Sequence, residues 1–163
     1  MSAIDHLVHA NQVYTAGFPG PRPLRPKLRL TVVACMDSRL DLFGALGLDI
    51  GDAHLIRNAG GIPTDDVLRS LALSQRALGT REIVIIHHTQ CGMDGFDDEA
   101  FRRELAAESG VEPTWQVEGF TDVEEAMRKS IRTVRECGWL PHRDAVRGFV
   151  FDVATAQLRE VVE

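Results

Sequence analysis

The chain has 163 residues, a length that suits one domain, and 18 Lys and Arg against 24 Asp and Glu give it a formal charge of −6. That balance argues against nucleic acid or an anionic membrane as a partner, the 44% hydrophobic content suits an ordinary globular protein, and no apolar run approaches the ~18 residues of a membrane span. Three cysteines, an odd number, argue against a disulfide framework and leave metal or catalytic use open.

Met1 to His6 lacks the basic and apolar segments of a signal peptide, so the expected location is cytoplasmic. Ile4, Leu7, Val8 and Tyr14 fall at helical spacing and predict a short amphipathic helix, its stripe interrupted by Asn11. Pro19, Pro21, Pro23 and Pro26 then forbid helix and favour an extended, semi-rigid connector. Residues 1–26 therefore read as a helix and Pro-rich arm held away from the strand they precede, to pack on the chain's own sheet or on another subunit. Leu28 to Ala34 is the first strand, β-branched and apolar as a strand buried on both faces requires. Asp41 to Leu46 is a short helix stopped by Gly47. Ala53 to Arg57 is a second strand, leading into Asn58-Ala59-Gly60-Gly61, where two glycines permit positive φ or close backbone approach.

Thr64 is placed to cap a long helix, with Asp65 and Asp66 in its first turn, Val67, Leu68, Leu71, Ala72 and Leu78 on its apolar face, and Gly79 closing it. Glu82 to His87 is the third strand. This alternation predicts an α/β fold with right-handed crossovers and a parallel sheet. A loop over 92–97, a helix through Phe101, Leu105 and Ala106 to Gly110, and a surface excursion past Pro113 and Trp115 come next. Thr121-Asp122-Val123-Glu124 has capping-box form before a helix whose apolar face is Val123, Met127, Ile131 and Val134. Gly148 to Val153 is the fourth strand, and Leu158 to Val162 a short edge strand.

Reactive side chains gather where strands end. Cys35, Asp37 and Arg39 follow the first strand at alternate positions, and His88-Thr89-Gln90-Cys91 follows the third. In open α/β sheets the carboxyl edge is where ligands bind. Catalytic zinc usually takes three protein ligands and keeps a fourth position open, which Cys35, His88 and Cys91 match. The long separation of Cys35 from His88 suits two neighbouring parallel strands joined by a crossover rather than a compact finger. Asp37 would accept a hydrogen bond from a water at the metal, or displace that water, and Arg39 would hold it in the first role. His87, adjacent to His88, points to the opposite face of the strand and reads as a hydrogen-bonded core histidine, as does His54. His6, His9 and His142 read as surface residues, and Cys137 as a free structural thiol. No H-E-x-x-H, no P-loop, no G-x-G-x-x-G after a strand and no deaminase pairing of H-x-E with P-C-x-x-C is present.

At Cys35-Met36-Asp37-Ser38-Arg39 and His88-Thr89-Gln90-Cys91 the chain resembles the β-class carbonic anhydrases, whose paired motifs are Cys-x-Asp-x-Arg and His-x-x-Cys. The segment Arg57-Asn58-Ala59-Gly60, the long helix after it and the ending Arg147 to Asp152 extend the resemblance over nearly the whole chain, as in the short bacterial members. The resemblance implies a four-stranded parallel sheet extended by an antiparallel edge strand, with helices on both faces and an N-terminal helical arm. It implies Zn2+ on Cys35, His88 and Cys91, with Asp37 and Arg39 as a catalytic dyad. It also implies a homodimer, open to assembly as a tetramer, in which the first helix reaches over the partner. The reaction implied is reversible hydration of carbon dioxide to bicarbonate and a proton by zinc-bound hydroxide, with Asn58, Ala59 and Gly60 lining the substrate pocket. Hydrolysis of carbonyl sulfide or carbon disulfide at the same ligands is the alternative, and a non-catalytic zinc-binding or sensor protein is the alternative of another class.

Overall fold

A computed structural model describes residues 2–162 of the chain. Five strands form one sheet in the order β2-β1-β3-β4-β5: β1 Leu30–Cys35, β2 Ala53–Asn58, β3 Glu82–His88, β4 Val146–Phe151 and β5 Leu158–Val161. The first four run parallel and β5 pairs antiparallel with β4, as expected. The helices are α1 Ala3–Ala16, α2 Leu42–Leu46, α3 Asp65–Arg76, α4 Asp98–Ser109 and α5 Val123–Glu136.

The central strands are apolar at successive positions because both faces of the sheet are covered. Val33, Ile83, Ile85, Val146 and Val150 form one core with Val67 and Leu71 of α3 and Met127, Ile131 and Val134 of α5. Val32, Ala34, Ile86 and Phe151 point the other way, into a second core with Leu40, Leu42 and Met93. Cys35, at the end of β1, and Cys91, in the turn after β3, belong to this second cluster. At the opposite end of the sheet, Ser74 Oγ joins Thr31 Oγ1 (2.8 Å), Thr80 Oγ1 (2.7 Å) and His54 Nδ1 (2.8 Å), so the polar groups buried between α3, β1 and β2 satisfy one another.

Several boundaries differ from the sequence expectation, each for a local reason. β1 starts at Leu30 because Arg29 turns with φ 53°, closing Arg29 N–H on Pro26 O. β3 runs on through His88, one residue further than expected. β4 spans Val146–Phe151 rather than 148–153, since Asp152 Oδ1 accepts from Ala154 and Thr155 N–H and turns the chain. The cap of α5 is Asp122, which accepts from Glu124 and Glu125 N–H, and not Thr121. Thr64 occupies the N-cap position of α3 without a capping hydrogen bond from its side chain, and α3 ends at Arg76.

The N-terminal helix is well specified locally: Ser2 and Asp5 form a reciprocal capping box. Yet no residue of α1 is buried, and Ile4, Leu7 and Val13 are 71%, 67% and 66% exposed. Of the two expected destinations, the chain's own sheet is not the one it takes. No helix among the described residues is long and apolar enough to cross a membrane.

Candidate metal centre

Neighbouring strands deliver the site. β1 and β3 pair in parallel with Ala34 opposite Ile86, so Cys35 and His88 emerge at the same edge of the sheet. Gln90 then adopts φ 54° and turns the chain, returning Cys91 toward Cys35. The two Sγ atoms lie 4.0 Å apart, and the ligand atoms of Cys35, His88 and Cys91 all fall within 4.8 Å of one another, every one on a buried residue.

The imidazole is already oriented. His88 Nδ1 lies 2.9 Å from Thr89 O, which makes Nδ1 the protonated nitrogen and leaves a lone pair on Nε2. That Nε2 is buried without a hydrogen-bond partner, a costly state unless another group takes the lone pair. Two sulfurs and one such nitrogen, converging and buried, are a donor set that fits zinc. A hydrogen bond from Cys91 holds the Cys35 thiol down to about 4, and the same bond, with burial, pushes the Cys91 thiol up.

Asp37 stands at the rim. Its Oδ1 accepts from Arg39 N–H (2.9 Å) and Nε (3.0 Å), and its Oδ2 from Arg39 Nη2 (2.7 Å). These bonds hold its carboxyl well below the usual carboxylate range. Arg39 Nη2 also reaches Gln90 O at 2.9 Å, tying the dyad to the turn that carries Cys91. Asp37 Oδ2 lies 3.8 Å from His88 Nε2, so the carboxylate faces the metal position while both its oxygens are engaged by Arg39.

The turn after β2 closes the site from the side. Asn58 spends its amide on Ile62, donating to its carbonyl (2.8 Å) and accepting from its N–H (3.0 Å). What this turn presents beyond Asn58 is therefore mainly backbone, at Ala59 and Gly60. Gly61, with φ 68°, packs so closely that a Cβ there would meet Cys35 N at 2.7 Å and Ile86 O at 3.0 Å. One residue given no role by sequence reasoning stands out. Arg57 on β2 donates from Nε to Cys35 O (2.9 Å) and from Nη2 to Asp37 O (2.6 Å). The signal that could have found it is its place at the carboxyl end of a strand neighbouring the Cys35 strand.

The remaining histidines divide by face. His87 is buried on the side opposite the thiols, stacks on Phe120 with centroids 6.1 Å apart, and lies 3.3 Å from Ser130 Oγ through Nε2. Burial pushes its pKa down to about 4, so the ring is neutral at physiological pH. His54 bonds Ser74, as a core histidine should. His6 and His9 are exposed, whereas His142 is half-buried because its backbone is held at both ends by the Gln75 side chain. Cys137 is half-buried against the first core, away from the other two thiols.

Comparison with known proteins agrees with this geometry. A carbonic anhydrase family model matches residues 30–135. The chain is 48% identical over 161 residues to β-carbonic anhydrase 1 of Mycobacterium tuberculosis, covering 99% of each. A carbon disulfide hydrolase of Acidithiobacillus thiooxidans is 37% identical over 152 residues, covering 80% of this chain and 76% of that protein. Among solved structures, the crystal structure of carbonic anhydrase from Streptococcus mutans superposes with a TM-score of 0.91 at 43% identity, covering 99% of both chains.

Proposed function

The chain belongs to the β-carbonic anhydrase family, and from that premise we propose that it hydrates carbon dioxide reversibly to bicarbonate and a proton at a zinc ion held by Cys35, His88 and Cys91. The observation that carries the proposal is the convergence of two thiols on a buried, unpartnered His88 Nε2, with the Asp37 carboxylate 3.8 Å away. A zinc ion in such a site supplies Lewis acidity, which brings the deprotonation of water toward neutral pH. Two thiolates donate more charge than neutral ligands, so the surrounding residues must assist. Asp37, ionised and acceptor-only, takes a hydrogen bond from the reacting water and orients its lone pair toward the substrate carbon. Arg39 keeps Asp37 in that role by occupying both carboxylate oxygens. The backbone of Ala59 and Gly60 forms one wall of the substrate pocket.

A second substrate class is kept by the likeness to a carbon disulfide hydrolase, because the ligand set itself does not discriminate. Carbon dioxide, carbonyl sulfide and carbon disulfide are all linear and electrophilic at carbon. Choice among them falls to pocket size, where small apolar differences are worth about 1–3 kcal/mol, or ~10–200-fold. The test is kcat/KM for the three substrates on one preparation of measured zinc content. Carbon dioxide hydration is expected to dominate. Efficient turnover of a sulfide with background hydration would move the assignment to the hydrolases, and a zinc-loaded protein inert to all three would make it a binding or sensor protein.

The unit is proposed to be a homodimer, because α1 exposes its apolar residues and nothing among the described residues covers them. The proposed location is the cytoplasm, where ligating thiols stay reduced.

A further inference from the structure

We propose that Arg57 is a positioning residue for this site: its guanidinium, bridging the carbonyls of Cys35 and Asp37, fixes the turn that carries both the thiolate ligand and the carboxylate. The inference rests on the role given to Asp37 above. The chain leaves β1 at Cys35, and residues 36–39 belong to no strand or helix. Met36 cannot anchor this segment, since it is 66% exposed. What holds it against β2 is a set of three hydrogen bonds: Met36 N–H to Asn58 O (2.8 Å), Arg57 Nε to Cys35 O (2.9 Å) and Arg57 Nη2 to Asp37 O (2.6 Å). Two of the three come from one side chain.

The geometry needs arginine. Carbonyls of residues i and i+2 are spanned by two donors at the fixed spacing of a planar fork, whereas an ammonium is a single point of attachment. No carboxylate pairs with Arg57 among the described residues; the residue is exposed, and two of its three nitrogens are spent on these carbonyls. Asp37 is thus held at both ends, its carbonyl accepting from Leu40 N–H (3.1 Å) as well as from Arg57. Arg39 fixes its carboxylate from the side-chain end, and Arg57 fixes its backbone from the other. Releasing the backbone end lets the carboxylate drift relative to His88 Nε2, and a shift of about 1 Å in a reacting group is enough to cost ~100-fold in rate. Arg57 is not among the groups proposed to meet substrate, so the loss belongs in kcat.

The test compares zinc-loaded wild type, Arg57→Ala and Arg57→Lys. Expected for Arg57→Ala is full zinc stoichiometry, kcat for carbon dioxide lowered about 10- to 100-fold and KM within about twofold, since it is orientation that is lost. The cobalt-substituted Arg57→Ala protein should show a shifted visible spectrum, because Cys35 loses the bond that orients its backbone. Arg57→Lys should recover only part of kcat, and millimolar guanidinium should raise kcat of Arg57→Ala but not of wild type. Unchanged kcat and cobalt spectrum in Arg57→Ala overturn the proposal, as does a loss that tracks zinc content alone. If Arg57→Ala does not fold, Arg57→Lys decides, and wild-type kcat in that variant overturns it. The cobalt spectra require no turnover, so a wild type inactive toward carbon dioxide would sink the functional assignment without touching this comparison.

Discussion

Two adjacent histidines, His87 and His88, have opposite fates because side chains alternate across a strand. His88 turns Nε2 to the thiols, and His87 packs under α5 against Phe120 and Ser130. Zinc analysis should therefore find metal lost from Cys35→Ser, His88→Ala and Cys91→Ser, and retained by Cys137→Ser and His87→Ala. The last variant should still be destabilised, by about 2–4 kcal/mol in denaturant unfolding, because it empties a buried ring site. Full zinc in all three ligand variants would remove the ligand assignment. His54 supplies a pH effect remote from the metal. Burial lowers its pKa from the ordinary value of 6.5, so the unfolded chain binds a proton at a pH where the folded chain does not. Its contribution to stability is full above about 6.5 and is lost as pH falls below that value toward the folded pKa. Between pH 7 and 5, the unfolding midpoint of His54→Asn should vary less than that of wild type; parallel curves would count against this role.

Among the elements, the short 3-10 turn Ala59–Gly61 matters out of proportion to its length. It lies against the ends of β1 and β3 at the level of the ligands, and Gly61 is what allows the approach. Positive φ and contacts to three backbone atoms, Cys35 N, Ala34 C and Ile86 O, leave no room for a side chain and nothing soft to yield. Gly61→Ala should cost more than ~2 kcal/mol and lower zinc affinity, because Cys35 and His88 lie at the ends of the strands it would force apart. Unfolding in the presence and absence of a chelator separates the two effects. A variant with wild-type stability and wild-type affinity would show that the strands absorb the methyl group.

At the scale of the whole molecule, the N-terminal arm is the unfinished part. α1 is capped at its start and exposes Ile4, Leu7, Val8 and Val13, each more than half accessible. An isolated helix of 14 residues is marginal in water, and among the described residues none buries any residue of α1. Sedimentation of the full chain should give a dimer or larger. Removal of residues 1–26 should break that assembly or precipitate the protein, and a soluble, active monomer after the truncation would assign the arm another purpose.

Much of this was legible in the order of residues. The strands announced themselves as short apolar runs, and the ligands as reactive types placed just beyond them, because a parallel sheet buried on both faces leaves chemistry only at its ends. The resemblance rested on those same positions. Tertiary structure alone decided the rest. That Asn58 is consumed by Ile62, that Asp122 rather than Thr121 caps α5, and that Arg57 bridges Cys35 and Asp37 all depend on distances between backbone groups that spacing along a chain does not determine. Nor does periodicity say which surface an amphipathic helix will meet. The pattern of α1 specifies an apolar stripe, and only the folded chain shows that its own two cores are already complete without it.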